Sequence, residues 1–445
     1  MPTETVPTLT LTPADVAHLA DALRPYHAIY GSFFSRSEAR EWAERYRHGL
    51  LSPLERTSIE PIVIAQVGAS DTAIHCLQQC LTDSTWDDDA ILRRHWQEVA
   101  VDLDHAEGIL IADGSDCPNK GQHSVGVKRQ YCGEVGTIAN GQAGVFLAYA
   151  GPHGATLLDR RLYLPQEWLS DPACAERRAR CRIPEAVTFQ TKNELTLAMV
   201  QEVVASRALR CCWFLADEAF GRDTTLLDAL ESLGLWYMVE VPLETTLWLD
   251  PAASATTAQA LFRTLASHSW SRRLVGAGTK GPRIAEAHVR RVRAQRDGRP
   301  GPAVWLILRL DPESGAQKAF LSNAPATLSA ARLVMVRGMR WSVEQIFEVG
   351  KQQLGMGDDD VRSWSGWHHH MTLVTLAHCC FRVRLQIQLK KSSTADTPTD
   401  VSAAQGPVAA PRAHPGGGAG ADRLLSPTAH GSGNEPPPTH RRLDR

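Results

Sequence analysis

No apolar stretch in this sequence approaches the roughly 20 residues that span a bilayer. Runs such as residues 143–150 and 371–377 fall far short, so no membrane segment is expected. The start, "MPTETVPTLTLTPADV", has neither a basic segment nor an apolar one behind it, so no secretory signal is expected and the setting is read as cytoplasmic. Charge excess is missing too. Lys and Arg number 47 against 49 Asp and Glu, a net charge of −2, so a nucleic-acid partner must be held by local basic patches. Ten cysteines include the adjacent pairs Cys211–Cys212 and Cys379–Cys380 but no CxxC. His75-Cys76-x3-Cys80 has no second half to complete a zinc site, so reduced, mostly buried thiols are expected. "GAGTKG" lacks the spacing of a phosphate loop and a strand before it. Beyond Lys391 there is no aromatic residue, and Pro, Gly, Ala, Ser and Thr crowd the chain. Residues 392–445 are therefore expected to form a disordered tail.

What remains is an ordinary globular composition, 43% hydrophobic and 22% charged over 445 residues, enough for two or three domains. Residues 1–105 read as a helical domain. Start signals stand at Thr12-Pro13-Ala14-Asp15, Ser35-Arg36-Ser37-Glu38 and Ser52-Pro53-Leu54-Glu55, and a further helix near Asp87 covers "AILRRHWQEVAVDL". Ala39, Trp42, Ala43 and Tyr46 form a buried stripe flanked by Arg36, Arg40 and Arg47, with Arg45 opposite. That flank suits either DNA or plain solvent.

From Gly108 the period changes to short strands: "ILIAD", "SVGVKRQY", "AGVFLAYA", "TLLDRRLYL". A helix, "KNELTLAMVQEVVAS", then leads to the strand "CCWFLAD", another helix and the strand "WYMVEVP", which predicts an α/β core with a mixed sheet. Residues 243–325 look like a β-rich insertion around a basic segment, and long helices follow.

Two core strands close on an acid, Asp113 and Asp217. The helix "RGMRWSVEQIFEVGKQQLG" offers Arg340, Glu344 and Lys351 at i, i+4 and i+11 along one side. Asp at a strand end is commonly a turn or helix cap, and Glu on a helix is commonly solvated. Together, however, two strand tips and one helical carboxylate suit two divalent cations about 4 Å apart that activate water and stabilise a leaving oxygen, with Arg and Lys holding phosphate. Asp113 is preferred to Asp116, read as lying in the following turn. Asp217 is preferred to Glu218 and Asp223.

The stretch from Asp113 to Pro165, with "GQHSVGVKRQYCGEVGTIANGQAGVFLAYA" and "LLDRRLYLP", then "LADEAFGRD", "RWSVEQIFEVGKQQLG" and "VRSWSGWHHHMTL", resembles the DDE-type transposases of bacterial insertion sequences over residues 34–388. The resemblance implies a ribonuclease H-like catalytic domain at 106–391 behind a DNA-binding domain at 1–105. It implies Asp113, Asp217 and Glu344 as catalytic metal ligands for two Mg²⁺, for which Mn²⁺ can substitute. It also implies double-stranded DNA as partner, at transposon ends and target, with a homodimer in the synaptic complex and association with the nucleoid when DNA is bound. The family's third block is Tyr-x2-Arg-x3-Glu-x6-Lys. Arg340, Glu344 and Lys351 keep it, while Arg337 replaces the Tyr. A catalytically inactive, domesticated DNA-binding relative is the alternative.

The insertion carries Arg272, Arg273, Lys280, Arg283, Arg290, Arg291, Arg293, Arg296 and Arg299, and 126 residues separate Asp217 from Glu344. The resemblance implies that it grips transposon ends, with Trp248, Trp270 or Trp305 as candidates to stack on a flipped base. Lys128 and Arg129 are further phosphate candidates. His368, His369 and His370 point about 100° apart on a helix and cannot share one ion.

Overall fold

The computed structural model describes residues 23–384, apart from residues 120, 134, 279, 280, 313, 359 and 360. The expected start at Thr12, Lys280 and the tail at 392–445 lie outside the described residues. The apolar strands assemble into one twelve-stranded sheet. Its centre is β1 (Ile109–Pro118), β5 (Trp213–Ala216) and β6 (Trp236–Val241), which run parallel. β3 (Thr137–Gly151) lies antiparallel on the other side of β1, flanked by β4 (Gly154–Tyr163) and β2 (Lys128–Cys132). This mixed α/β arrangement agrees with the ribonuclease H-like core expected from the sequence.

Beyond β6 the same sheet continues. β12 (Gln317–Ser322) pairs with β6, β11 (Arg299–Leu310) with β12, and β10 (Gly281–Arg296) with β11. β7 (Thr246–Trp248), β8 (Thr256–Thr257) and β9 (Ser271–Gly278) complete it. The 243–325 region is thus β-rich, and it is joined to the core sheet by main-chain hydrogen bonds.

Period-2 alternation sorts the side chains into two layers. Ile109, Ile111, Phe146, Leu215, Met238 and Phe320 face one way, and Leu110, Val145, Phe214, Val239 and Leu321 the other. The first face is covered by α1 (Ser37–Leu50), α2 (Ile59–Val67), α3 (Asp71–Thr82), α7 (Ala330–Gly338), α8 (Trp341–Gln353) and α9 (Trp364–His378). The second is covered by the end of α4 (Asp88–Leu103), α5 (Lys192–Ser206) and α6 (Thr224–Ser232). Among the described residues no helix is long and apolar enough to cross a membrane. The ten cysteines are free thiols.

Local signals fared unevenly. Asp87 caps α4 through Ala90 N (2.8 Å), and Thr191 with Glu194 forms a capping box on α5. The start signals read at Ser35 and Ser52, each of capping-box form, are not used. α1 starts at Ser37 after Arg36 with no side-chain cap, and no helix starts at Ser52, since α2 begins at Ile59. Arg47 is a second correction. It is fully buried and donates to the Leu23 carbonyl (2.9 Å) with its guanidinium 5.2 Å from the Tyr26 ring, so it is no part of a basic surface.

α9 is buried on every side, and its histidines diverge as helix geometry requires. His370 Nδ1 shares a 2.8 Å hydrogen bond with the Tyr46 hydroxyl, Trp86 donates to His369 (2.9 Å), and His368 bonds the Trp364 carbonyl (2.8 Å). Burial pulls the His370 ring down to about 4 and the more distant His27 to about 3. Each is neutral in the fold and takes up a proton near pH 6.5 once unfolded. Their contribution is therefore complete above about pH 6.5 and is lost as pH falls towards 4. In thermal melts from pH 7 to 4, His370→Gln should lose less stability than the parent, by up to about 3 kcal/mol. Parallel melting curves would remove His370 from this account.

Candidate active site

Asp113 lies within β1, not at its end. β3 keeps pairing with β1 as far as Pro118, opposite Gly141, whereas parallel pairing with β5 stops at Ile111 opposite Leu215. Asp113 therefore projects where its parallel neighbour has ended, on the face carrying Ile109 and Ile111. Asp116 is also in the strand and not in a turn. Three residues on, it points to the opposite face. Asp217 directly follows β5. Its Oδ1 caps a single helical turn through Ala219 N (2.9 Å), leaving Oδ2 to face Asp113's side. Glu218 pairs with Arg222, and Asp223 caps α6, so neither joins them.

One side chain connects the acids. The helical stretch expected to run unbroken is interrupted at Met339–Arg340, so Arg340 stands at the start of α8 and reaches across the sheet. Its Nη2 lies 2.7 Å from Asp113 Oδ2 and 3.8 Å from Asp217 Oδ2, and its Nη1 lies 2.8 Å from Glu344 Oε1. Burial pushes the Asp113 carboxyl up to about 6, and Arg340 opposes that rise. Burial works against the charge of Arg340, but Asp113, Asp217 and Glu344 outweigh it and raise its value.

The donors are all carboxylate oxygens already gathered around a cation, which suits a hard divalent ion completed by water and phosphate. As they stand around the guanidinium they are too spread to share one. Among the described residues no three His, Cys, Asp or Glu side chains are placed to hold a metal. In donor chemistry the residues fit such an ion.

The other expected contacts divide. Lys351 Nζ donates to the Asp116 carbonyl (2.9 Å), near the β1 tip. Lys128 pairs with Glu167 (2.8 Å), and Arg129 is exposed on the edge strand β2. Arg290, Arg291 and Arg293 are half-buried along β10, Arg291 with its guanidinium 5.1 Å from the Trp305 ring. Arg337 does not reach a surface. It is buried over Phe320 (4.3 Å) and paired with Glu240 (3.2 Å), and burial, then the charge of Arg340, lowers it to about 10. The three tryptophans are not presented for stacking on a base either. Trp248 is buried, Trp270 stacks on Phe262 (5.3 Å), and Trp305 donates to the Pro325 carbonyl (3.1 Å).

Two features escaped the sequence. Glu240, the single acid in "WYMVEV", is buried on the same face as Asp217 and joins Arg337 to Lys318 (2.8 Å). An acid in an otherwise apolar strand is costly without partners, and that was the available signal. The "LLDRRLYLP" block is internal: Arg160, fully buried, lies 3.5, 3.3 and 3.5 Å from Asp88, Asp89 and Asp159.

A mixed sheet that places acids where the pairing of its parallel strands stops, with a helical carboxylate beside them, is the arrangement of the ribonuclease H-like class of phosphoryl-transfer enzymes. Comparison with protein families narrows this. The family described as DDE superfamily endonuclease matches residues 30–264, more than half of the chain, and that described as transposase DDE domain matches residues 179–380. The chain belongs to the DDE superfamily of endonucleases and is a DDE-type transposase, acting on DNA with divalent metal ions. No curated protein matches it.

Proposed function

We propose that this chain binds duplex DNA at the terminal repeats of its own insertion sequence, cuts there, and joins the freed end to target DNA. Asp113, Asp217 and Glu344 are the catalytic carboxylates and the ligands of two Mg²⁺, with Mn²⁺ as a substitute. The observation that carries this reading is the single guanidinium of Arg340 held among those three acids, which come from two strands and a helix.

The ions, when bound, activate the attacking oxygen and stabilise the leaving one. The chain's own residues do the rest. The three carboxylates fix where the scissile phosphate sits, and the apolar layer beneath Asp113 keeps that spot poorly hydrated. Arg340, once displaced from the acids, turns its two donors to a phosphate, and Lys351 at the β1 tip holds a neighbouring one. Arg290, Arg291 and Arg293 take phosphates of the end along β10, while Lys128 and Arg129 take them at the opposite edge. In the first step water attacks phosphorus and the element's 3′-oxygen leaves as a hydroxyl. In the second that hydroxyl attacks a target phosphodiester and a target 3′-oxygen leaves. Cutting two ends together calls for a homodimer.

The test is incubation of the full chain with a duplex carrying the DNA that flanks its gene, with Mg²⁺ or Mn²⁺ and an unrelated plasmid as target. Nicks at the element boundary and joined products are expected. Binding without any nick would make this the inactive, domesticated relative. Nicks that never join would leave a nuclease alone.

A further inference from the structure

The catalytic face of the sheet does not stop at Asp113. In register, Asp113 stands opposite Phe146, Cys117 opposite Gln142, Arg129 opposite Asn140 and Tyr131 opposite Ile138. By alternation all of these share one face of β1, β3 and β2. Near Asp113 that face is covered, since Phe146 packs on Phe347 (5.4 Å) and Trp367 (6.4 Å). Further along it opens into a cavity of about 600 Å³ lined by Cys117 and Gln142 with Arg56, His123 and Arg362. It ends on the β2–β3 hairpin, whose apolar side chains are out in solvent: Tyr131 is 66% exposed, Ile138 58% and Val135 47%. A second cavity, lined by Lys128, Arg129, Arg177 and Arg180, adjoins the hairpin.

An exposed Tyr–Ile cross-strand pair on an edge strand is an unusual expense in a soluble sheet, because edges are ordinarily blunted with charge. Here the apolar tip is bordered by cations. That pairing of an apolar wedge with phosphate-binding side chains is how proteins part a base step and bend the duplex.

We propose that the hairpin is a DNA wedge: Tyr131 and Ile138 insert at a base step while Arg129, on the same face, holds a flanking phosphate. Eight residue steps along β3 lead from Ile138 to Phe146, about 27 Å at a strand's rise. B-form DNA rises about 3.4 Å per base pair, so the disturbed step falls about eight base pairs from the phosphate at Asp113. The inference rests on Asp113 marking the point of cleavage.

The test places a single 2-aminopurine at successive positions 4 to 12 base pairs from the cut, on either side. The full chain binds in Ca²⁺, and nicking is measured separately in Mg²⁺. Fluorescence is expected to rise at a step about eight base pairs from the cut and nowhere else in the series. Tyr131→Ala with Ile138→Ser, both on the surface, should abolish that rise and weaken binding about tenfold or more. A mismatched bubble placed at the step should restore nicking by the variant to within about twofold of the parent, because the unstacking is then already made. Nicking by the parent with a flat fluorescence profile overturns the wedge alone. A variant that binds and cuts normally but sediments as a smaller species than the parent also overturns it, in favour of a contact between two copies. Failure of the parent both to bind and to nick overturns the functional reading beneath it.

Discussion

Asp113→Asn will nick DNA about a thousandfold more slowly than the parent, a loss of about 4 kcal/mol of transition-state stabilisation, and yet melt within a few degrees of it. The two halves of that expectation have separate causes. The rate falls because an amide cannot supply the anionic oxygen that a divalent ion needs. The fold survives because the amide is nearly the same size and keeps an oxygen for the Gly114 N–H, now 2.9 Å from Oδ1. It also removes a charge that burial disfavours, as the rise of this carboxyl to about 6 shows. Arg340 keeps Asp217 and Glu344 as partners. Glu344→Gln should lose the same activity with even less effect on melting, since Glu344 is 41% exposed. A cutting assay on supercoiled DNA beside thermal melts decides the matter. Near-normal cutting by either variant would remove that acid from the chemistry.

The second large effect belongs to Arg340. Its guanidinium lies among the three acids, so on the proposed reading protein cation and metal compete for them. Removing it as Arg340→Ala leaves three like charges facing one another. Loss of one partner from a buried ion pair costs about 3–5 kcal/mol, and partial exposure of Asp217 and Glu344 reduces that to about 2 kcal/mol. In EDTA the variant should therefore melt below the parent. In Mg²⁺ the order of response reverses: the variant should gain more stability than the parent, and at lower concentration, because no guanidinium has to be displaced. Cutting should still be lost, since a phosphate contact has gone. Equal Mg²⁺-dependent shifts for the two proteins would show that Arg340 does not stand in the ion's place.

Much of this was legible in the chain. The apolar runs ending in Asp113 and Asp217, and the spacing of Arg340, Glu344 and Lys351, single out acids that the fold brings together around one guanidinium. What was not legible depends on partners far away in sequence. Gly114, Ser115 and Pro118 read as a turn, yet β3 supplies a pairing edge that keeps them extended, and Asp116 stays in the strand. Arg47 and Arg337 look like surface cations, but Tyr26 in one case and Glu240 with Phe320 in the other accept them inside. Ser35 and Ser52 carry the composition of helix caps, and tertiary packing started the helices elsewhere. The divergence of His368, His369 and His370 was legible because helix geometry alone dictates it.

The sheet has no seam. From β10, where Arg290, Arg291 and Arg293 lie, β11, β12 and β6 lead to β5, which Asp217 follows, through successive ladders of main-chain hydrogen bonds with one register shift between Arg293 and Gln295. A pull exerted on one margin would reach the other through these ladders. If those arginines grip DNA as proposed, the span between them and the proposed cutting acids is a built-in gauge, and lengthening or softening it should shift the position of the cut.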